Sequence, residues 1–339
     1  MSKRLTKEQR NTIKKCIKLG WSNASIASDV GTTPEAVNYY REKKLGKPRG
    51  QYNKTGKPAA KVTVAPAHIK NQTMRAIGKL QGPRILTFDI ETLPLESYTW
   101  GTFDQNVGLN QIKTDWAALS IAAKWLGDDE VWYEDTRGKA TIRDDKDMIA
   151  KLCALLDEAD IVVGQNVKKF DLRKIRARAM MHGLPPFREP LVQDTMLMAR
   201  SVGSFTSNKL EYLSKNLTDA PKSAHAKFPG FELWLGVMQG NQEAWEEMRE
   251  YNIQDVIATE KLYLALRPWV RQHPNVAHYY DDNQRRCPRC GSVNLHNNGT
   301  TFRGVSEYHA YTCADCGGHS RSRFTLNTRD KRKALVTTI

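Results

Sequence analysis

The stretch Arg84-Ile85-Leu86-Thr87-Phe88-Asp89-Ile90-Glu91-Thr92 decides the fold. It reads as a strand, in which alternate side chains share a face. Leu86, Phe88 and Ile90 then point into a core, while Asp89 and Glu91 stand side by side on the opposite face. Two like charges so placed repel unless something positive joins them, and a divalent cation is the usual solution. Asp128 and Glu130 have the same spacing but sit among the turn residues Gly127-Asp128-Asp129, so strand context separates the two pairs.

Two other fragments extend the pattern. Val163-Gly164-Gln165-Asn166-Val167-Lys168-Lys169-Phe170-Asp171 runs from the end of a buried strand towards a helix. Asp171 falls near the start of that helix, where an aspartate is ordinarily a cap. In Tyr251-Asn252-Ile253-Gln254-Asp255 the tyrosine and the aspartate, four apart, share a helix face. Tyr311 and Asp315 repeat that spacing in a cysteine-rich region, so no single fragment suffices.

Together and in this order, the Phe88–Thr92 motif FDIET, Asn166 with Phe170-Asp171, and Tyr251 with Asp255 resemble the three motifs of the DEDD superfamily of 3′–5′ exonucleases. The tyrosine places the resemblance in the variant that includes proofreading domains of family-B DNA polymerases and YprB-like nucleases. Spanning residues 85–266, it implies a ribonuclease H-like fold and two Mg²⁺ or Mn²⁺ ions held by Asp89, Glu91, Asp171 and Asp255. Asp89 would bridge the ions and Asp255 would bind the water-activating one. Two metals about 4 Å apart can activate a water and stabilise the leaving oxygen of a phosphodiester, releasing 5′-mononucleotides. Tyr251 would orient the water, since an unperturbed phenol with a pKa of about 10 is a poor base at neutral pH. By the same resemblance Thr92 and Leu93 border the terminal nucleotide, Asn166 contacts the substrate strand and Phe170 stacks on a base. Lys168 and Lys169 contact phosphates or are solvated surface lysines. Asp194 either joins the acidic cluster or caps a helix.

Outward from these motifs, strands are expected at Ile85–Glu91, Ala118–Trp125, Val131–Glu134 and Ile161–Val163, with a further short one before Asp194. Helices are expected at Met148–Leu156, Phe170–His182, Thr195–Arg200 and Lys209–Asn216, and a long one, possibly broken midway, at Gln242–Leu266. Strands first, then strands alternating with helices, predict an α/β domain over 83–272 with a mixed sheet and flanking helices.

Three N-terminal helices are expected: Lys7–Leu19 ended by Gly20, Asn23–Val30, and one after the Thr33 cap and Pro34. Helix, glycine turn and capped helix resemble a small all-α helix-turn-helix domain over 1–45, with Glu35, Asn38, Tyr39 and Arg41 towards DNA. A protein-docking module is the other reading. Residues 46–82, rich in Gly, Pro and Lys, read as a basic flexible linker.

Cys287-Pro-Arg-Cys290 and Cys313-Ala-Asp-Cys316, each followed by glycine, resemble the knuckles of a small zinc ribbon over 284–325, ahead of a basic tail at 326–339. Four thiolates would close a structural, non-catalytic Zn²⁺ site, with His309 and His319 as bystanders. Cys16 and Cys153 read as buried small hydrophobes.

The net charge of +15 is uneven. Residues 85–283 carry 23 basic and 30 acidic side chains, a balance of −7, between flanks that sum to +22. Basic flanks favour a polyanion, because each neutralised phosphate releases counterions. The expected partner is nucleic acid, DNA first. With no apolar run near the 20 residues of a membrane span, the expected location is the cytoplasm of a prokaryotic or phage-infected cell. The activity expected is 3′–5′ exonuclease. The alternatives are a structure-specific endonuclease and a DNA-binding regulator with an inactive nuclease domain.

Overall fold

A computed structural model of the chain describes residues 5–18, 23–45, 71, 74–75, 80–221 and 227–337. Its contacts divide into two compact units, Met1–Gly82 with Tyr279–Asp281, and Pro83–His278 with Asp282–Ile339. Most of the expected linker, and Leu19 and Gly20 at the end of the first helix, lie outside the described residues.

The N-terminal unit holds α1 (Lys7–Lys18), α2 (Asn23–Val30) and α3 (Pro34–Leu45). Ile13, Cys16, Ile26 and Val37 are fully buried between them. Thr33 Oγ1 accepts from the Ala36 amide at the start of α3, as a cap should. Gly31 takes the left-handed φ of +64° that the α2–α3 turn requires. Of the expected DNA-facing side chains, Tyr39 is 61% exposed, Glu35 is exposed and Arg41 is half-buried. Asn38 Oδ1 instead accepts from Asn23 Nδ2 at 2.9 Å, tying α2 to α3.

The second unit is built on a mixed five-stranded sheet, with helices on both faces. Its strands are β1 (Ile85–Leu93), β4 (Ala117–Trp125), β5 (Trp132–Asp135), β6 (Ile161–Gly164) and β7 (Leu191–Asp194), in spatial order β5-β4-β1-β6-β7. β1–β4 and β4–β5 are antiparallel; β1–β6 and β6–β7 are parallel. A two-stranded hairpin, β2 (Glu96–Ser97) with β3 (Ile112–Thr114), interrupts the β1–β4 connection.

Strand alternation sorts the two faces. Leu86, Phe88 and Ile90 pack on α4 (Lys146–Glu158) and α5 (Asp171–Met181). Leu93 and Leu119 pack on the other side against α8 (Glu232–Met238) and α9 (Gln242–Leu266). α9 runs unbroken for 25 residues, its N-terminus capped by Asn241 Oδ1. α6 (Thr195–Val202) and α7 (Leu210–Leu217) pack against α9. Further on, β8 (Leu295–Arg303), β9 (Ser306–Cys313) and β10 (His319–Arg321) form a separate three-stranded antiparallel sheet, followed by the short α10 (Arg329–Ala334). No helix among the described residues is long and apolar enough to cross a membrane.

One buried ionic knot locks α4 and α5 to the sheet. Asp145, fully buried ahead of α4, accepts from Arg178 Nε and Nη2 at 2.7 and 2.6 Å and from the Ala118 amide at 2.8 Å. His182 Nε2 lies 2.6 Å from the same carboxylate. Asp145→Ala strands the buried guanidinium and the amide together, so it is expected to destabilise the unit by about 3–5 kcal/mol in urea titrations. A loss below about 1 kcal/mol would mean that water replaces the carboxylate.

Candidate functional site

The site forms where β1 meets α9. Asp89 and Glu91 project from the β1 face opposite Phe88 and Ile90, and Asp255 reaches them from α9. One carboxylate oxygen from each lies within 4.8 Å of the others. Asp255 is 5% exposed, whereas Asp89 and Glu91 are half-buried. Tyr251, half-buried, stands one helical turn before Asp255 on the same side of α9. An all-oxygen donor set of three clustered carboxylates suits a hard divalent cation such as Mg²⁺ or Mn²⁺ and not a thiophilic one.

The fourth expected carboxylate stands apart from this trio. Asp171 is 3% exposed at the start of α5, and its Oδ1 accepts from the Ile90 amide at 3.3 Å. β6 pairs with β1 only at Ile85–Thr87, so the Ile90 amide, pointing to that edge, finds its acceptor in a side chain. Burial, with the nearby Asp194 charge adding to it, pushes the Asp171 carboxyl up to about 7, against hydrogen bonds from its own backbone and from Ile90.

The segment leading to Asp171 is bent to a specific shape. A Cβ at Gly164 would lie 2.7 Å from Val167 Cβ and 3.3 Å from the Phe88 carbonyl oxygen, so only glycine lets β6 end so close to β1. Asn166 follows in the left-handed region at φ +59°. Asp194 holds this turn by accepting from the amides of Asn166 and Lys168. It also caps α6 by accepting from the Met196 and Leu197 amides. Of the two readings of Asp194, the structure gives the cap. Lys168, Lys169 and Phe170 are exposed beside this turn, and Phe170 packs under Lys174 Nζ, 5.7 Å from its ring centroid. The Thr92 carbonyl accepts from Trp234 Nε1. Leu93, expected to border a nucleotide, is 1% exposed in the core beside α8 and α9, so it packs and offers no surface.

Asn252, inside the Tyr251–Asp255 motif, is a further residue of the site. It is fully buried, donates from Nδ2 to Asp89 Oδ2 at 2.8 Å and accepts from Ser120 Oγ at 3.0 Å. The signal was present: Asn252 falls on the inward stripe of α9 with Met248, Val256 and Thr259, where a polar side chain needs a partner. Ser120 and Asn252 thus fix the rotamer of Asp89 from beneath. Asn252→Ala is expected to weaken divalent-cation affinity about 10–100-fold, the usual effect of losing a partner that orients a ligand. Calorimetric titration with Mn²⁺ measures it, and unchanged affinity would show that Asp89 is oriented without it.

The four cysteines form a second candidate metal centre. Cys287 Sγ lies 3.7 Å from Cys316 Sγ, and Cys290 Sγ lies 3.6 Å from Cys313 Sγ. All four sulfurs fall within 4.8 Å of one another. A tetrahedron with Zn–S bonds of about 2.3 Å has S···S edges of about 3.8 Å, so the arrangement fits zinc. Both knuckles turn by the same bonds, Gly291 N–H to Cys287 O and Gly317 N–H to Cys313 O. His309 and His319 are not among the clustered groups.

No protein-family model matches the chain, and no curated protein matches it. Among solved structures it is similar to the family B DNA polymerase of the hyperthermophilic archaeon Pyrobaculum calidifontis, at 17% identity and a TM-score of 0.40. That alignment covers 56% of this chain and 26% of the polymerase, so the chain spans about a quarter of that protein. At that TM-score the likeness assigns neither fold nor activity.

Proposed function

We propose that the chain is a metal-dependent 3′–5′ exonuclease of ribonuclease H-like type, with DNA as the first candidate substrate. The observation that carries this reading is the convergence of Asp89, Glu91 and Asp255, from two elements far apart in sequence, into one cluster of oxygens. The motif resemblance in FDIET, Asn166–Asp171 and Tyr251–Asp255 supports it independently. Asp89, Glu91 and Asp255 would hold Mg²⁺ or Mn²⁺, with Asp171 behind them. Bound there, the cations would supply Lewis-acid activation of a water and stabilise charge on the scissile phosphate. Asn252 and Ser120 keep Asp89 in one rotamer. Tyr251 orients the attacking water by hydrogen bonding. Lys168 and Lys169 face the substrate backbone, and Phe170 the base of the terminal nucleotide. In this reading the three-helix unit contacts DNA through Tyr39 and Arg41, and the cysteine module is a structural zinc ribbon.

A digestion time course on 3′- and 5′-labelled DNA and RNA tests the reading. The expected result is immediate release of 3′ label as mononucleotide, stopped by a blocked 3′ end. Cleavage that ignores the block would make the protein an endonuclease. Intact substrates in Mn²⁺ would leave a nucleic-acid-binding protein.

A further inference from the structure

The three-stranded C-terminal sheet has one face whose chemistry the metal centres do not use. Register places Thr301 opposite Tyr308, Arg303 opposite Ser306, His319 opposite Thr312 and Arg321 opposite Ala310. By alternation these side chains share one face. The Arg321 guanidinium lies over the Tyr308 ring, 3.9 Å from its centroid. Thr312 Oγ1 lies 3.0 Å from His319 Nδ1 and accepts from Asn298 Nδ2 at 2.9 Å, giving a row of polar groups beside that stack. A groove of about 390 Å³ runs between Asn298, Thr301, Arg303, His319 and Arg321.

Charge distinguishes this face from the rest of the module. Residues 284–339 carry ten basic and three acidic side chains. Glu307 pairs with Phe302 on the opposite face by register, and Asp315 is bonded to Asn294 at a knuckle. Arg286 is paired with Asp282, and Arg289 donates to the carbonyls of Val270 and His319. Those two arginines are spent on structure, while Arg303 and Arg321 remain exposed, Arg321 also donating to the adjacent Ser322 carbonyl, on a face to which the three strands contribute no carboxylate. The exposed Phe302 and its apolar surface are on the other side. A cationic, aromatic and hydrogen-bonding face with no apolar centre matches a polyanion with stacking rings, not a protein surface.

We propose that this face is a second nucleic-acid site, a track for a single-stranded segment, with Arg303 and Arg321 on phosphates and the Arg321–Tyr308 stack under a base. The choice of nucleic acid rests on the nuclease reading of the carboxylate centre. The test uses the full-length, zinc-loaded chain and a fluorescein-labelled single-stranded oligonucleotide followed by anisotropy across a salt series. Arg303→Ala combined with Arg321→Ala is expected to raise Kd about tenfold near 0.1 M salt. It should also flatten the slope of log Kd against log salt by about 1.4, the value for two lost single-strand phosphate contacts. Tyr308→Ala is expected to weaken binding at every salt concentration and leave the slope alone. Arg285→Ala, which removes a cation stacked over Tyr311 on the opposite face, is the control and should leave the slope unchanged. Equal Kd and slope in the double variant would overturn the proposal, as would a greater loss on duplex than on single strand. Hydrolysis of a dinucleotide, which cannot occupy both places, is expected to be unaffected. Absence of that hydrolysis in the parent protein would instead fault the nuclease reading, separately from the binding result.

Discussion

Asp89→Asn is expected to lower the hydrolysis rate roughly a thousandfold or more, with oligonucleotide binding retained. The change is nearly isosteric. Its amide oxygen can still accept from Asn252 Nδ2, so the local hydrogen bond and the fold are kept. What is lost is one of three converging negative charges, and with it the anionic ligand set that a dication needs. Electrostatic help of several kcal/mol at the reacting phosphate corresponds to about three powers of ten in rate. Binding is expected to survive because, on the proposed reading, the basic flanks, which sum to +22 against −7 for residues 85–283, would supply most of the attraction to phosphates. Steady-state release of 3′ label, with anisotropy in parallel, measures both. Undiminished hydrolysis would remove Asp89 from any metal site. Thermal stability should also rise slightly in metal-free buffer, since repulsion among the clustered carboxylates is relieved.

The second large effect belongs to zinc. In the three-stranded sheet most side chains of β8 and β10 are exposed, and the buried side chains are few: Cys287, Tyr311 and Cys313 at 5% exposure or less. So small a core cannot offset the entropy of ordering the strands, and a structural metal is the usual remedy. Zinc binding of about 10–16 kcal/mol in such modules is folding free energy. Chelation, or Cys313→Ser, is therefore expected to unfold residues 287–321. Amide-exchange protection should be lost there and kept in β1, β4 and α9. A sheet that stays protected after complete zinc removal would refute the assignment.

Local patterning made the frame legible in advance. Alternation in Ile85–Thr92 identified both the central strand and the face that bears its acids. The start of α9, the α2 boundaries and the sulfur spacing also followed from the sequence, because each depends on neighbours within a few residues. What the sequence left hidden depends on how elements are rotated against one another. Leu93 lies two residues beyond Glu91 on the same face, but there that face is covered by α8 and α9, and Leu93 packs into the core with Leu119 and Trp245. Asp171 reads as an equal member of a carboxylate quartet; that one of its oxygens, Oδ1, also serves the Ile90 amide was not legible, because it depends on how α5 is set against β1. Asn252 becomes meaningful only when α9 is laid across β1 and β4, which brings Ser120 and Asp89 to its two ends. The short α8 and the β2–β3 hairpin had no periodic signal long enough to read.

The way the cysteine module is fastened has a mechanical consequence. Arg289, inside the first knuckle, donates to the Val270 carbonyl just past the end of α9, and the Val276 amide donates to Pro288. Tyr263 on α9 completes the joint through His273, whose imidazole stays neutral because burial pulls its pKa down to about 4. The sheet is thus bolted to the helix that carries Tyr251 and Asp255. If the two proposals above hold, a strand gripped on that sheet and cut at the carboxylates would be measured against a constant span, like cloth against a yardstick. Digestion would then slow, without stopping, once the remnant is too short to reach both places, at a length set by the bolt and not by the sequence of the strand.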